Sequence, residues 1–127
     1  MKIRTHEKID RRLCGEPIDV KSGYSRIQLL ASADMAVDDF GLIHGGFVFG
    51  LADYAAMIAV NDPNVVLGAA EVKFLKPIEV GQSLVAEARV AKESGKKRLV
   101  NVIVKKDDKA VFEGAFNCFV LEKHVLR

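Results

Sequence analysis

The chain has 127 residues, half of them hydrophobic, which is typical of one domain with a single core. Its formal net charge of +2 is too small to indicate binding to nucleic acid. The two cysteines, Cys14 and Cys118, lack the spacing of a disulfide framework or a thiolate metal site, so we expect no metal and a reducing cytoplasm. The N-terminus is charged from Lys2 onward, unlike a signal peptide, and we expect no membrane association.

The N-terminal region is predicted to contain a short helix followed by a pair of strands. The helix spans about 5–13, with Thr5 as its N-cap, and we expect it to cover one end of a sheet. A glycine and a proline end it, and strands follow over 18–20 and 24–31 on either side of a Lys-Ser-Gly turn. Residues 32–39 are polar and predicted to be irregular.

A long helix over about 45–60 is the central element of the chain. It is apolar on nearly all sides, which is typical of a buried helix, and Asp53 is its one charged residue. With about 15 residues and a charge near its middle, it is too short for a membrane span. A second copy of the chain would cover the side that one sheet leaves open, so we expect a homodimer.

One face of this helix has the features of a binding site. Gly46, Gly50, Asp53 and Met57 follow helical spacing, so free N–H groups at the helix start and a carboxylate two turns later point the same way. A lone carboxylate among apolar side chains is costly unless it has a partner or a function. The alternative is a structural carboxylate bonded to a backbone amide or to a lysine at an interface.

The region after the helix, about 65–121, is predicted to be almost entirely strand. Alternation of apolar and polar residues, clearest over 84–91, indicates strands buried on one face. Turn sequences at 93–96 and 107–108 separate these strands, which predicts an antiparallel meander. The expected architecture is therefore α+β, with one long helix lying across an antiparallel sheet.

The string His44-Gly45-Gly46, with Asp53 nine positions after the histidine, resembles the hotdog-fold acyl-CoA thioesterases of the phenylacetate-degradation type. The Phe-Leu-Lys-Pro sequence at 74–77 and the strand at 86–90 are similar to that family as well. The resemblance covers about 13–120. It implies one hotdog domain over 1–127, in which an antiparallel sheet wraps around one long central helix, and a dimer.

Residues 13–19 also resemble the start of the ligand-binding domain of the malonyl-CoA-responsive repressor of fatty-acid synthesis. That domain is a hotdog domain that senses an acyl-CoA and does not hydrolyse it. The thirteen residues before this segment are too few for a helix-turn-helix, so we expect no direct DNA binding.

Thioester hydrolysis needs a donor for the developing oxyanion and a base or nucleophile. The amides of Gly45 and Gly46 at the helix start supply the donor, and Asp53 supplies the general base or nucleophile. The resemblance implies that Asp53 faces the helix start of the neighbouring subunit. His44 either orients substrate or has a capping or packing role. Asp38 is a further catalytic candidate, because facing Asp53 across the interface would raise the pKa of one of the two carboxyls. Such a pair is either an acid–base pair or a poorly active site.

Three positions depart from the pattern of these thioesterases. Asp38 replaces an asparagine, and Met57 and Leu67 replace hydroxyl residues. Because loss of one well-placed polar group can lower a rate roughly a hundredfold, these departures favour binding without hydrolysis as an alternative.

Coenzyme A carries phosphates, so a basic segment beside the acyl site is expected. The resemblance implies a channel lined by Phe74, Lys76 and Pro77, with Leu67 as a further residue that binds the acyl group or coenzyme A. A basic hairpin completes the predicted site: Lys92, Gly95, Lys96, Lys97 and Arg98. The alternatives are that the hairpin is a solvated turn and that Phe74 belongs to the core.

The sequence thus predicts a cytoplasmic acyl-CoA thioesterase of fatty-acid metabolism, a homodimer or a tetramer, with its site at the dimer interface. The alternative is a non-catalytic acyl-CoA-binding protein with a sensor or regulatory role. A hotdog dehydratase would need an Asp–His dyad on a different spacing, which is not found. The expected ligand is an acyl-CoA, with coenzyme A as part of the substrate and no other cofactor.

Overall fold

A computed structural model describes all residues from Met1 to Arg127. The structure is a six-stranded antiparallel sheet with one long helix packed on it, so the predicted α+β architecture is confirmed. The elements are α1 (Arg11–Cys14), β1 (Glu16–Lys21), β2 (Tyr24–Leu30), a 3-10 turn (Ala33–Met35), α2 (Gly45–Val60), β3 (Val65–Phe74), β4 (Ser83–Ser94), β5 (Lys97–Lys106) and β6 (Lys109–Val120).

The strands lie in the order β1-β2-β4-β5-β6-β3. Strands β4, β5 and β6 form the meander, whereas β3 crosses to the far side and pairs with β6. In that pair Val65 lies opposite Val120 and Phe74 lies opposite Phe112. Strand β3 is therefore an edge of the sheet.

Helix α2 lies mainly across β2, β4 and β5. Strand β4 presents Ala86 and Ala88 to the core, and both are buried because the helix approaches their small side chains closely. Nine of the sixteen helix residues are buried within the single chain: Val48, Leu51, Ala52, Tyr54, Ala55, Ala56, Met57, Ile58 and Ala59. No helix in the structure is long and apolar enough to cross a membrane.

The prediction that one sheet leaves a whole side of α2 uncovered is wrong. From Tyr54 to Ala59 the sheet and the N-terminal segment bury every residue. The open part is the first half of the helix, where Gly46 is exposed and Gly50 and Asp53 are partly exposed. The open face is therefore confined to the end that carries the predicted site.

The predicted helix over 5–13 is also wrong. Helix α1 has four residues, and its N-cap is Asp10, whose carboxylate accepts a hydrogen bond from the Arg12 N–H at 2.9 Å. Thr5 is buried, and its hydroxyl lies 2.8 Å from Nδ1 of His6. His6 has a φ of 53°, which a right-handed helix does not accommodate. The chain therefore cannot continue as a helix from Thr5.

Asn61 ends α2 and fastens the N-terminal segment to it. Its φ is 53°, and its N–H donates to the Met57 carbonyl at 2.8 Å. Its side-chain amide donates to the Lys2 carbonyl and accepts from the Arg4 N–H, both at 2.8 Å. The first residues are thereby held against the end of α2.

Candidate functional site

The site begins where the backbone enters α2. The Ile43 N–H donates to the Ile78 carbonyl at 2.9 Å, and the His44 N–H donates to the Met35 carbonyl at 3.0 Å, so the entry is fixed on two sides. The next two amides, of Gly45 and Gly46, donate to no acceptor in the chain, because the first turn of a helix has none to offer. Two free donors thus stand at the positive end of the helix dipole.

A cavity of about 310 Å³ opens beside Gly45. The ring of Phe74 forms one wall, and it contacts the ring of Phe112 edge-on at 5.1 Å between centroids. The Val111 carbonyl accepts the N–H groups of Leu75 and Lys76 at 2.8 and 3.2 Å, which fixes the wall. The lining residues are Ile43, Gly45, Val48, Phe74, Leu75, Lys76, Pro77, Ile78 and Val111. The structure therefore brings the predicted Phe74, Lys76 and Pro77 together at the helix start.

His44 is the N-cap residue of α2, but its side chain makes no capping hydrogen bond. The His44 side chain therefore does not cap α2. The imidazole lies over Gly46, where an added Cβ would be 2.9 Å from Cδ2 and Nε2, and it meets the Phe47 ring edge-on at 6.1 Å between centroids. The exposed ring stands beside the two free amides, at a place where it can contact a ligand.

Asp53 is partly buried, and its Oδ1 has neither solvent contact nor a hydrogen-bond partner in the chain. Burial raises the pKa of this carboxyl from 3.8 to about 6. The alternative of a structural carboxylate satisfied by an amide or a lysine is not realised within the chain. A partly desolvated carboxylate with a pKa of about 6 is deprotonated at neutral pH and is suited to accept a proton.

Apolar groups and thiols lie around Asp53. Cys118, opposite Leu67 in the β3–β6 pair, is fully buried; burial raises its pKa to about 12, with the Asp53 carboxylate adding to the shift. The pKa of Cys14 is raised by burial and by the charges of Asp10 and Asp53. Met57, one turn after Asp53, is 1% exposed and belongs to the core. Met57 and Leu67 thus provide no hydroxyl group where the related thioesterases have hydroxyl residues.

Asp38 is exposed and holds its own loop. Its Oδ1 accepts hydrogen bonds from the N–H groups of Phe40 at 3.0 Å and Leu42 at 3.2 Å. The raised pKa of Asp53 has burial as its cause, with no contribution from Asp38. Within one chain the two carboxylates are therefore not coupled, and their predicted pairing across an interface stays a prediction.

The predicted basic hairpin lies at the opposite end of the sheet from the cavity. Lys97 is opposite Phe119, and Val104 is opposite Phe112 beside the cavity. The seven positions between Lys97 and Val104 span roughly 23 Å of strand. One chain therefore does not bring the hairpin to Phe74.

Contacts within the hairpin use some of its charges. The Arg98 guanidinium donates to the Gly95 carbonyl at 2.7 Å and lies 3.6 Å from the Glu93 carboxylate. Lys96 lies 4.0 Å from Glu122, whereas Lys92 and Lys97 have no acidic partner. The hairpin tip thus retains two free cations.

Four residues that line the cavity were not predicted from the sequence: Ile43, Val48, Ile78 and Val111. Val48 could have been found, since it follows Gly45 by three residues on the helix. Ile78 and Val111 depend on pairing between segments far apart in sequence, for which the sequence has no local signal.

Comparison with known proteins identifies the class. An antiparallel sheet wrapped around a helix that begins at paired glycines is the architecture of the hotdog proteins. The model of the Thioesterase superfamily matches residues 40–113. The chain belongs to the thioesterase superfamily, and the predicted resemblance is confirmed.

Two solved structures share the fold. An uncharacterized protein, PH1136 from Pyrococcus horikoshii, matches with a TM-score of 0.99 and 54% identity, covering 100% of this chain and 98% of that one. A mutant of the phenylacetic acid degradation protein PaaI from Thermus thermophilus matches with a TM-score of 0.78 and 25% identity, covering 86% and 95%.

Two curated relatives are longer than this chain. Methylthioribose-1-phosphate isomerase of Aquifex aeolicus is 51% identical over 116 residues, 91% of this chain and 25% of that protein. The transcription factor FapR of Caldanaerobacter subterraneus is 32% identical over 114 residues, 89% of this chain and 57% of that protein. The chain thus spans a quarter and just over half of their lengths, and the likeness to the repressor is confirmed.

Proposed function

We propose that this protein hydrolyses an acyl-CoA thioester at a site shared by two copies of the chain. One observation carries the proposal: Asp53, a partly buried carboxylate without a hydrogen-bond partner, has a pKa raised to about 6 on the helix that offers two free amides. Membership of the thioesterase superfamily supports this chemistry.

Helix geometry supports a shared site. Gly46 and Asp53 are seven residues apart on α2, which places them roughly 10 Å apart along the axis. One thioester carbonyl cannot contact the Gly46 N–H while its carbon lies within reach of a water held by Asp53 of the same chain. A second copy with its helix alongside would place its Asp53 beside the first copy's helix start.

The free edge at β3 offers a surface for that second copy. Strand β3 runs from Val65, at the hairpin end of the sheet, to Phe74, at the cavity end. Antiparallel pairing of two β3 edges would place one copy's cavity beside the other copy's hairpin. The free Lys92 and Lys97 would then face the phosphates of a coenzyme A whose thioester lies at Gly45.

The proposed reaction uses water and two protein groups. Asp53 accepts a proton from water as the water oxygen attacks the thioester carbon, and the Gly46 N–H stabilises the oxyanion. The C–S bond then breaks, and the proton passes to the departing sulfur. The products are a carboxylic acid and coenzyme A; no metal or separate cofactor enters the scheme.

A second function is non-catalytic binding of an acyl-CoA. It is favoured by the surroundings of Asp53, where Met57 is buried and Leu67 provides no hydroxyl. The likeness to a transcription factor supports a regulatory role. In this alternative Gly45 and Gly46 still bind the carbonyl, and Asp53 does not activate water.

The test measures thiol release and ligand binding on one set of acyl-CoAs, from acetyl to palmitoyl and including phenylacetyl. We expect thiol release by the wild type and at least a hundredfold loss in Asp53→Asn. The matched control is Glu7→Gln, an exposed carboxylate in no ion pair and away from the helix start, which should keep full activity. Thermal stabilisation by acyl-CoA without thiol release would select the binding function, and the absence of both would reject each proposal.

A further inference from the structure

Four exposed apolar side chains lie in the two segments that lead to the helix start and to the cavity wall, residues 36–43 and 78–82. Phe40 is 91% exposed, and Val37, Leu42 and Val80 are exposed as well. We call these four residues the apolar lip. None of them lines the cavity beside Gly45. A surface of this kind, in a chain with a well-formed core, indicates a place where something apolar binds.

The lip is held in a fixed conformation. Asp38 accepts the N–H groups of Phe40 and Leu42, and the Val37 N–H donates to the Leu42 carbonyl at 2.8 Å. The Val80 N–H donates to the Gly41 carbonyl at 2.9 Å, which ties the second segment of the lip to the first. The exposure of Phe40 is therefore built into the loop, because four hydrogen bonds fix the backbone on both sides of it.

The lip and the cavity meet at the free amides. Ile43 and Ile78 line the cavity and are bonded to each other, and the lip residues Leu42 and Val80 adjoin them in sequence. Gly45 follows Leu42 by three residues. A thioester whose carbonyl binds at the helix start would therefore lie beside both the cavity and the lip.

The cavity and the lip differ in charge. Lys76 lies in the cavity wall and has no acidic partner. The segments 36–43 and 78–82, which carry the lip, contain three carboxylates and no lysine or arginine: Asp38, Asp39 and Glu79. The phosphate-bearing end of a coenzyme A thioester is attracted to the cavity side and repelled by the lip side.

We infer that the apolar lip binds the acyl group and selects neutral, apolar acyl chains against those that end in a carboxylate, such as malonyl or succinyl. The inference rests on the proposed function and specifies its substrate class. Phe40 is the main contact for the chain, and Asp39 and Glu79 reject a terminal carboxylate. Asp38 is a positioning residue that holds Phe40 outward.

The test titrates Asp53→Asn, which would hold acyl-CoA without turnover, with octanoyl-CoA, butyryl-CoA, malonyl-CoA and free coenzyme A. We expect malonyl-CoA to bind at least tenfold more weakly than butyryl-CoA. In the Asp53→Asn background, the further substitution Phe40→Ala should weaken octanoyl-CoA binding about tenfold and leave the binding of free coenzyme A unchanged. Ile103→Ala, an exposed apolar side chain on β5, is the matched control and should change neither. Adding Asp39→Lys and Glu79→Lys should improve malonyl-CoA binding selectively.

Other results overturn the inference. Equal affinities for malonyl-CoA and butyryl-CoA would show that the lip does not select by charge. An unchanged affinity for octanoyl-CoA in the Phe40→Ala variant would show that Phe40 does not contact the acyl chain. If light scattering shows that Phe40→Ala dissociates a dimer, the lip is a contact between copies. A failure of wild type and variants to bind any acyl-CoA is a distinct result, because it rejects the proposed function itself.

Discussion

The ring of Phe74 lies directly against the backbone of Gly45, so that a Cβ added there would be 3.1 Å from the ring carbon Cε1. Phe74 ends β3 and Gly45 begins α2, and the contact joins the sheet edge to the helix start. The glycine leaves room for the ring, because it has no Cβ. This contact therefore places the cavity wall directly beside the free Gly45 N–H.

Substitution of Gly45 by alanine should weaken ligand binding more than it weakens the fold. The added methyl would displace the Phe74 ring, which is 56% exposed and free to turn outward into the cavity. We expect acyl-CoA affinity to fall about tenfold, measured by calorimetry, with a small change in the midpoint of thermal unfolding. The double variant Gly45→Ala, Phe74→Ala should bind better than Gly45→Ala alone, and a double variant that binds no better would contradict this explanation.

The buried carboxylate of Asp53 should make stability depend on pH. Its pKa is raised from 3.8 to about 6 in the folded chain, so the fold favours the protonated form. Its contribution is most favourable below pH 4 and is lost as the pH rises through 6. Above pH 7 the ionised, unpartnered group lowers the free energy of unfolding by about 2–3 kcal/mol.

Asp53→Asn should therefore be more stable than the wild type at pH 8, by about 2 kcal/mol, and nearly equal to it at pH 4. Urea unfolding at the two pH values measures the difference. Asp39→Asn, which alters an exposed carboxylate, should show no such dependence. A difference between Asp53→Asn and wild type that is the same at both pH values would show that the charge of Asp53 is not the cause.

The central helix was predictable because its boundaries have local causes. Paired glycines start it at Gly45, and Asn61 ends it in a left-handed conformation. The prediction of a helix over 5–13 was wrong because the sequence pattern does not show two features of the fold. These are the positive φ of His6 and the hydrogen bonds between Asn61 and the first residues. The position of β3 beside β6 also has no local signal, since the two strands are far apart in sequence.

Only part of the site was predictable from the sequence. Phe74 and Lys76 follow the family pattern, and the structure places them beside Gly45. The basic hairpin around Lys97 was predicted from its charges, which carry no information on its distance from the cavity. The register of β5 and β6 places the hairpin and the cavity at opposite ends of the sheet. The role of Asp38 in its loop and the exposure of Phe40 depend on loop conformation, which residue type alone does not determine.

Asn61 should contribute to stability through two separable effects. Asn61→Gly keeps the left-handed conformation but removes the side-chain hydrogen bonds to Lys2 and Arg4, which should cost about 2 kcal/mol. Asn61→Ala removes these bonds and also strains the backbone, which should cost about 1 kcal/mol more. Urea unfolding measures both values.

Hydrogen exchange provides a second measurement of the same segment. In Asn61→Gly the amide of Arg4 loses its acceptor and should exchange faster, while the amides of the central strands keep their protection. Equal stability of Asn61→Gly and wild type would show that the N-terminal segment is held by its apolar contacts instead.

Charge reversal tests whether two copies share the site through β3. Within one chain Lys97 lies roughly 23 Å along the sheet from the cavity, whereas Lys76 lines it. If the partner's hairpin reaches the cavity, Lys97→Glu should weaken acyl-CoA binding several-fold, as Lys76→Glu should. Both effects should shrink as salt is added, since phosphate contacts are screened.

An acyl-pantetheine, which lacks the nucleotide phosphates, separates charge from packing. Neither Lys76→Glu nor Lys97→Glu should change its binding, because the carbonyl and acyl contacts remain. Lys8→Glu, an exposed lysine in no ion pair, is the control for net charge and should leave acyl-CoA binding unchanged. An effect of Lys76→Glu without one of Lys97→Glu would mean that the hairpin is a solvated turn, because both substitutions change the net charge of the chain equally and differ only in position.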